Sequence, residues 1–127
     1  EILNEKVISC IRSTVSALPS PSQALVVKAL KSPNLDAENG EIRAMLKKRY
    51  LCLKDILSSS ALSHWKFNSA FFALLDAPNG AEEARLRLLE HGVGVVSMPS
   101  VGAIRLSYST VPEENLPELV SIIEKYI

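Results

Sequence analysis

From Glu1 to Leu18 the apolar residues Ile2, Leu3, Val7, Ile8, Ile11, Val15 and Leu18 recur every three or four positions, the period of an amphipathic helix. Pro19-Ser20-Pro21-Ser22 breaks that pattern. Ser20 reads as an N-cap, with Pro21 at the first helical position and Gln23 completing a capping box. The helix that follows, about Pro21 to Leu30, is apolar nearly all round through Ala24, Leu25, Val26 and Val27. Such a helix is expected to be buried or to pack on another large body. After Lys31-Ser32-Pro33-Asn34, a long helix is predicted over 36–58. Its apolar stripe is Ile42, Met45, Leu46, Leu53, Ile56 and Leu57, with Tyr50 beside it. Its other face carries Glu41, Arg43, Lys47, Lys48, Arg49 and Lys54 and reads as a solvated surface.

At Trp65 the period shifts to 2. Phe67, Ser69, Phe71, Ala73 and Leu75 alternate with Asn68, Ala70, Phe72, Leu74 and Asp76, which predicts a strand covered on both faces. A turn at Asp76-Ala77-Pro78-Asn79-Gly80 leads into a helix over 81–91 with Ala84, Leu86, Leu88 and Leu89 inward, stopped by Gly92. Gly92 to Val96 is expected as a short strand, 97–102 as a loop, and Ala103 to Ser109 as a third strand. Thr110 to Glu113 and Asn115 to Glu118 both have capping-box spacing. The last helix carries Leu116, Leu119, Val120, Ile123 and Tyr126 on one side. The order helix, helix, long helix, strand, helix, strand, strand, helix predicts an α+β fold. It would be a small three- to four-stranded sheet with helices packed mainly on one face.

Composition narrows the function classes. The 127 residues hold 14 Lys+Arg against 14 Asp+Glu, which argues against a nucleic-acid module. With 47% apolar and 22% charged residues the chain is too apolar for a disordered segment. No apolar run approaches the roughly 18 residues of a membrane span, and no signal peptide is expected. The expectation is a cytoplasmic domain. Because the chain opens on Glu1 inside a helical pattern rather than on methionine, it is expected to be part of a longer protein. Cys10 and Cys52 sit among apolar neighbours and read as buried free thiols. His64 and His91 lack metal-ligand spacing, so no metal site is expected. His91 falls at a helix end, where an imidazole favourably faces the carbonyls.

One residue asks for a function. In Ala103-Ile104-Arg105-Leu106-Ser107-Tyr108-Ser109, Arg105 is the only charge between His91 and Glu113, and its own strand face otherwise carries Ala103, Ser107 and Ser109. Small neighbours leave room before a planar five-donor fork, which suits gripping a carboxylate in two parallel bonds. The competing reading is an edge-strand arginine that reaches solvent or pairs with a local glutamate.

Three segments then carry a family resemblance: Phe67-Asn68-Ser69-Ala70-Phe71-Phe72, Leu88-Leu89-Glu90-His91-Gly92-Val93 and Ile104-Arg105-Leu106-Ser107-Tyr108-Ser109, followed by Val111-Pro112-Glu113-Glu114-Asn115-Leu116. In order and spacing they resemble the C-terminal small domain of class I/II, fold-type-I aminotransferases. More weakly, Leu18-Pro19-Ser20-Pro21-Ser22-Gln23-Ala24 resembles the segment where the chain leaves the cofactor domain, and helix 36–58 resembles the linker helix. The resemblance implies that residues 1–35 are a helical segment from the large-domain and linker region and that 36–127 are the small domain. It implies that Arg105 binds the substrate α-carboxylate and that Asn68, Ser69 and Ala70 border the substrate pocket.

The implied parent is a homodimer that binds pyridoxal phosphate and moves an amino group between an amino acid and a 2-oxo acid. Its partners are those substrates and the missing large domain, with no nucleic acid and no membrane. None of the lysines at 6, 28, 31, 47, 48, 54, 66 and 125 stands in a Ser-x-Ser-Lys context. The chain alone is therefore expected to hold no cofactor and to be inactive. Two departures bear on the pocket: Ser69-Ala70 stands where the family has a glycine, and the 97–102 loop is shorter than in many members. Two other readings stay open. One is the same fold with β-lyase, decarboxylase or acyltransferase chemistry. The other is a stand-alone amino-acid-binding α+β module.

Overall fold

A computed structural model describes residues 1–14, 16 and 19–127. The chain divides into two compact units, Glu1–Gly40 and Glu41–Ile127. The first contains helix α1 (Ile2–Thr14), helix α2 (Ser20–Leu30) and the start of α3 (Leu35–Ser59). Val15 and Leu18, expected to extend the first helix, lie outside the described residues. Neither α1 nor α2 has a buried residue. The apolar surround of α2 is uncovered, with Leu25 69% and Leu30 68% exposed, where its pattern predicted burial. Ser20 is the first residue of α2 rather than its cap. Pro19 holds the cap position, and no side-chain cap bond forms there.

The second unit is the α+β body. Among the described residues a three-stranded antiparallel sheet runs in the order β1-β3-β2, with β1 at Ala73–Asp76, β2 at Val96–Met98 and β3 at Ala103–Leu106. Helices α4 (Ala81–Glu90) and α5 (Leu116–Tyr126) and the C-terminal half of α3 cover one face. The core there joins Leu53 and Leu57 of α3, Leu75 and Ala73 of β1, Ala84 and Leu88 of α4, Ile104 and Leu106 of β3, and Leu116, Val120 and Ile123 of α5. Only half of the predicted α3 stripe is used, since Ile42 and Met45 stay exposed.

The α4 terminus is legible in chemical detail. Gly92 sits at φ +78, and its N–H bonds Leu89 O at 3.0 Å while Val93 N–H bonds Leu88 O at 2.9 Å. This is the paired closure of a Schellman motif, which needs the left-handed residue that glycine supplies. Val93 and Leu88, the residues that motif brings together, are both buried. Of the residues predicted inward on α4, Ala84 and Leu88 are buried but Leu86 and Leu89 are exposed. The inward line instead starts at Ala81, three residues before Ala84. Asn115 takes the N-cap position of α5 without a side-chain cap bond, and Glu113–Asn115 is a short 3-10 turn.

The strands are shorter than their patterns. The first strand begins at Ala73, not Trp65. Asn68 Oδ1 accepts the Ala70 N–H at 3.1 Å, a local turn that competes with strand pairing. Upstream of it the chain runs back against β1. His64 bridges Leu75, Trp65 N–H bonds Leu74 O at 3.0 Å and Asp76 N–H bonds Ser63 O at 2.9 Å. The segment between is thus a wide aromatic loop, not a buried strand. Likewise 93–95 precedes β2 as loop. The expected loop at 97–102 holds most of β2 and the 3-10 turn Pro99–Val101. β3 stops at Leu106, after which Tyr108–Thr110 is another 3-10 turn.

Candidate functional site

Register decides which residues share the sheet face away from the helices. Leu74 and Val96 flank Arg105 on its two sides, and Asp76 and Met98 flank Ala103. Paired residues in an antiparallel ladder point to one face. One face therefore carries Arg105, Leu74, Val96, Asp76, Ala103 and Met98, opposite the Ile104 and Leu75 core face. Arg105 stands in the central strand, which removes the edge-strand reading. Ser107 and Ser109 fall beyond the end of β3, so they do not continue its face as the sequence suggested.

Arg105 is half-buried, and its Nε is buried with no hydrogen-bond partner. Its guanidinium carbon lies 4.4 Å from the centre of the Phe72 ring. The nearest carboxylate on that face, Asp76, is committed elsewhere. Its Oδ2 accepts from Ser63 Oγ at 2.5 Å and its Oδ1 from Trp65 Nε1 at 2.8 Å. Those bonds, Ser63's first and Trp65's second, hold the Asp76 carboxyl below its usual range. Among the described residues the one salt bridge is Arg85–Glu82, so the reading that Arg105 pairs with a local glutamate also falls.

Arg105 opens into a cavity of about 550 Å³ walled by Trp65, Lys66, Phe67, Asn68, Phe72, Leu74 and Met98. The lining has two cations, no carboxylate and a predominance of aromatic and apolar groups. A half-buried guanidinium with no ion pair among the described residues can receive an anion in such surroundings, and a planar carboxylate matches its donor fork best.

The other sequence-predicted site residues separate. Asn68 lines the Arg105 cavity, and its backbone carbonyl accepts the Tyr108 hydroxyl at 2.8 Å. Ser69 instead lines a second cavity of about 370 Å³ with Arg43, Leu46, Lys47, Tyr50 and Leu51. Ala70 is exposed and lines neither. The turn closed by Asn68 is what sends successive residues to different sides. Sequence reasoning missed Trp65, Lys66, Phe72 and Met98. The density of aromatic residues between Trp65 and Phe72 was the available signal, but its alternation fits a buried strand equally well.

The remaining candidates have structural roles. Arg49, on the basic face of α3, donates through Nη1 to Ser109 O and ties α3 to the turn after β3. The His91 ring stacks on Tyr126 with centroids 3.6 Å apart, where the sequence placed it toward the helix carbonyls. Both cysteines are free. Cys10 is exposed, contrary to expectation, and Cys52 is half-buried. Burial first, then the charges of Glu113 and Asp55, pushes the Cys52 thiol up. Among the described residues no cluster of three or more His, Cys, Asp or Glu is arranged to hold a metal ion. Among the described residues no helix is long and apolar enough to cross a membrane.

Comparison with known proteins agrees with this architecture. No curated protein sequence matches the chain. Among solved structures, a tetra mutant of Thermus thermophilus aspartate aminotransferase is 26% identical with a TM-score of 0.75, covering 94% of this chain and 34% of that one. A second tetra mutant of that enzyme, complexed with tryptophan, is 27% identical with a TM-score of 0.74, covering 94% of this chain and 33% of that one. An aminotransferase from Anaerococcus prevotii shares the fold at a TM-score of 0.79 and 22% identity, covering 98% of this chain and 31% of that one. The chain spans about a third of the length of these proteins. The family model for aminotransferase class I and II matches residues 2–123. The chain therefore belongs to the class I and II aminotransferase family.

Proposed function

We propose that this chain is the C-terminal part of a pyridoxal-phosphate-dependent aminotransferase that moves an amino group between an amino acid and a 2-oxo acid. In this reading residues 36–127 form its small domain and residues 1–35 come from the large-domain and linker region. The observation that carries the reading is Arg105, a cation without an ion pair among the described residues, set in the central strand at the wall of a cavity that has no carboxylate of its own. Its role is to grip the substrate carboxylate through paired N–H donors, fixing the substrate for reaction. Asn68, on the loop across the cavity, borders the same space. Movement of this unit toward the rest of the parent closes the site over the bound acid.

The residues around Arg105 do not fit a cofactor cradle. An acid to face a pyridine nitrogen is missing from the cavity lining, and Asp76, the carboxylate on that sheet face, is bound to Ser63 and Trp65. The cofactor and its lysine are accordingly assigned to the remaining two thirds of the parent, and the chain alone is expected to be inactive. The exposed apolar residues of α1 and α2 support a missing packing surface of that kind. The parent is read as a cytoplasmic homodimer, the two free thiols of this part suiting a reducing compartment.

The test is an assay of the full-length protein with pyridoxal phosphate, a ¹⁵N-labelled amino acid and a panel of 2-oxo acids. Mass-detected transfer of the label to the 2-oxo acid is expected. Carbon dioxide release, elimination or acyl transfer without label transfer would replace this reading with another reaction on the same fold. Amino-acid binding with no reaction at all would favour a binding module.

A further inference from the structure

Arg105 has a guanidinium at the end of a long, freely rotating side chain, yet among the described residues no hydrogen bond or ion pair holds it. Its cross-strand neighbours Leu74 and Val96 offer no hydrogen bond, its Nε is unpartnered, and it has no ion pair among the described residues. Against the guanidinium lies the Phe72 ring, its centre 4.4 Å from the central carbon. Phe72 is itself well placed to do this. It directly precedes Ala73, which is locked opposite Leu106 in the β1–β3 ladder, and its ring meets Phe71 edge-on at 6.2 Å. An aromatic face attracts the flat cation and leaves the N–H edge free for a ligand.

We propose that Phe72 is a positioning residue for carboxylate capture, holding the Arg105 guanidinium so that its donor edge faces the cavity before any acid arrives. A guanidinium already oriented loses less conformational freedom when the carboxylate binds, so affinity rises without a further contact to the ligand. The inference rests on the assignment of Arg105 to the carboxylate.

The experiment uses the full-length protein and maleate, a dicarboxylate with neither amino nor oxo group to react. Its dissociation constant is measured for the wild type and for Phe72→Leu, Phe72→Trp and Arg105→Ala, alongside the NMR signal of the Arg105 Nε–H proton. Phe72→Leu keeps apolar bulk but removes the aromatic face. It is expected to weaken maleate about fivefold and to abolish the ring-current shift of the Arg105 proton. Phe72→Trp is expected to bind within about twofold of wild type and to keep a ring-current shift. Wild-type affinity in Phe72→Leu, with Arg105→Ala unable to bind, overturns the positioning role and leaves the Arg105 assignment standing. Equal weakening in the Leu and Trp variants also overturns it, because shape alone would then matter. Wild-type affinity in Arg105→Ala overturns both.

Discussion

The hydroxyl of Tyr108 donates to the backbone carbonyl of Asn68 at 2.8 Å, across 40 positions of sequence. Tyr108 is fully buried at the start of the 3-10 turn after β3, three residues after Arg105, and Phe67 meets its ring edge-on at 5.9 Å. A residue in the core beneath the sheet thus anchors the loop that walls the cavity on the other side. Burial, with a smaller contribution from Tyr50, raises the Tyr108 phenol above its ordinary value, so it stays a donor through the neutral range.

Removing that hydroxyl isolates the anchor. Tyr108→Phe keeps the ring contacts and leaves the Asn68 carbonyl without its donor. Denaturant unfolding is expected to show a loss of about 1 kcal/mol. Amide exchange is expected to quicken through residues 66–72 while β3 stays protected. Unchanged exchange in the loop would mean that Asn68 is held by something else.

The helix-side face of the sheet carries the fold's stability. Ile104, in the central strand, and Leu75, its partner in β1, are both fully buried. Truncating either to alanine is expected to cost about 2–5 kcal/mol in denaturant unfolding. Leu25→Ala on the uncovered α2 is expected to change stability by no more than about 0.5 kcal/mol.

Glu82 gives the pH dependence a defined window. Its hydrogen bond with Arg85, and secondarily with Ser97, lowers its pKa from 4.5 to about 2. A carboxylate whose pKa is depressed on folding adds stability at pH above 4.5 and loses it as the pH falls toward 2. The pair is exposed, so the effect on overall stability is small. The direct check is the Glu82 side-chain ¹³C titration, with a midpoint expected near 2. Arg85→Ala is expected to move that midpoint back toward 4.5, and Ser97→Ala to move it less.

The two thiols are expected to differ in reactivity. Cys10 is exposed on α1. Cys52 is half-buried, its thiol raised by burial and directed at Glu113 O at 3.9 Å. Limited alkylation at pH 8 followed by peptide mapping is expected to label Cys10 first, since the thiolate is the reacting form.

How much of this was legible in the sequence follows the physics of each segment. The helices α3, α4 and α5 announced themselves because a 3.6-residue period over ten or more residues has few competing explanations, and Gly92 marked the end of α4 through a requirement that only backbone geometry imposes. Arg105 was visible as a lone charge within an apolar strand, and it stands in the central strand with no ion pair among the described residues. The loop before β1 was not legible. Phe67 to Phe72 alternate as a strand would, and the turn closed by Asn68 Oδ1 on Ala70 overrides that pattern with one side-chain bond. Ser69 and Ala70 were grouped with Asn68 through the family resemblance, but Ser69 lines a different cavity and Ala70 lines neither. Phe72 and Trp65 were hidden for a related reason: their contacts to Arg105 and Asp76 cross between elements, and no local period records them.

The central claim is that Arg105 holds the substrate carboxylate, and the most direct test is Arg105→Lys in the full-length protein. Lysine keeps the positive charge but replaces the planar fork with a point charge. The account predicts that the dissociation constant for a 2-oxo acid substrate rises about tenfold or more. Affinity equal to wild type in a folded Arg105→Lys variant would contradict it.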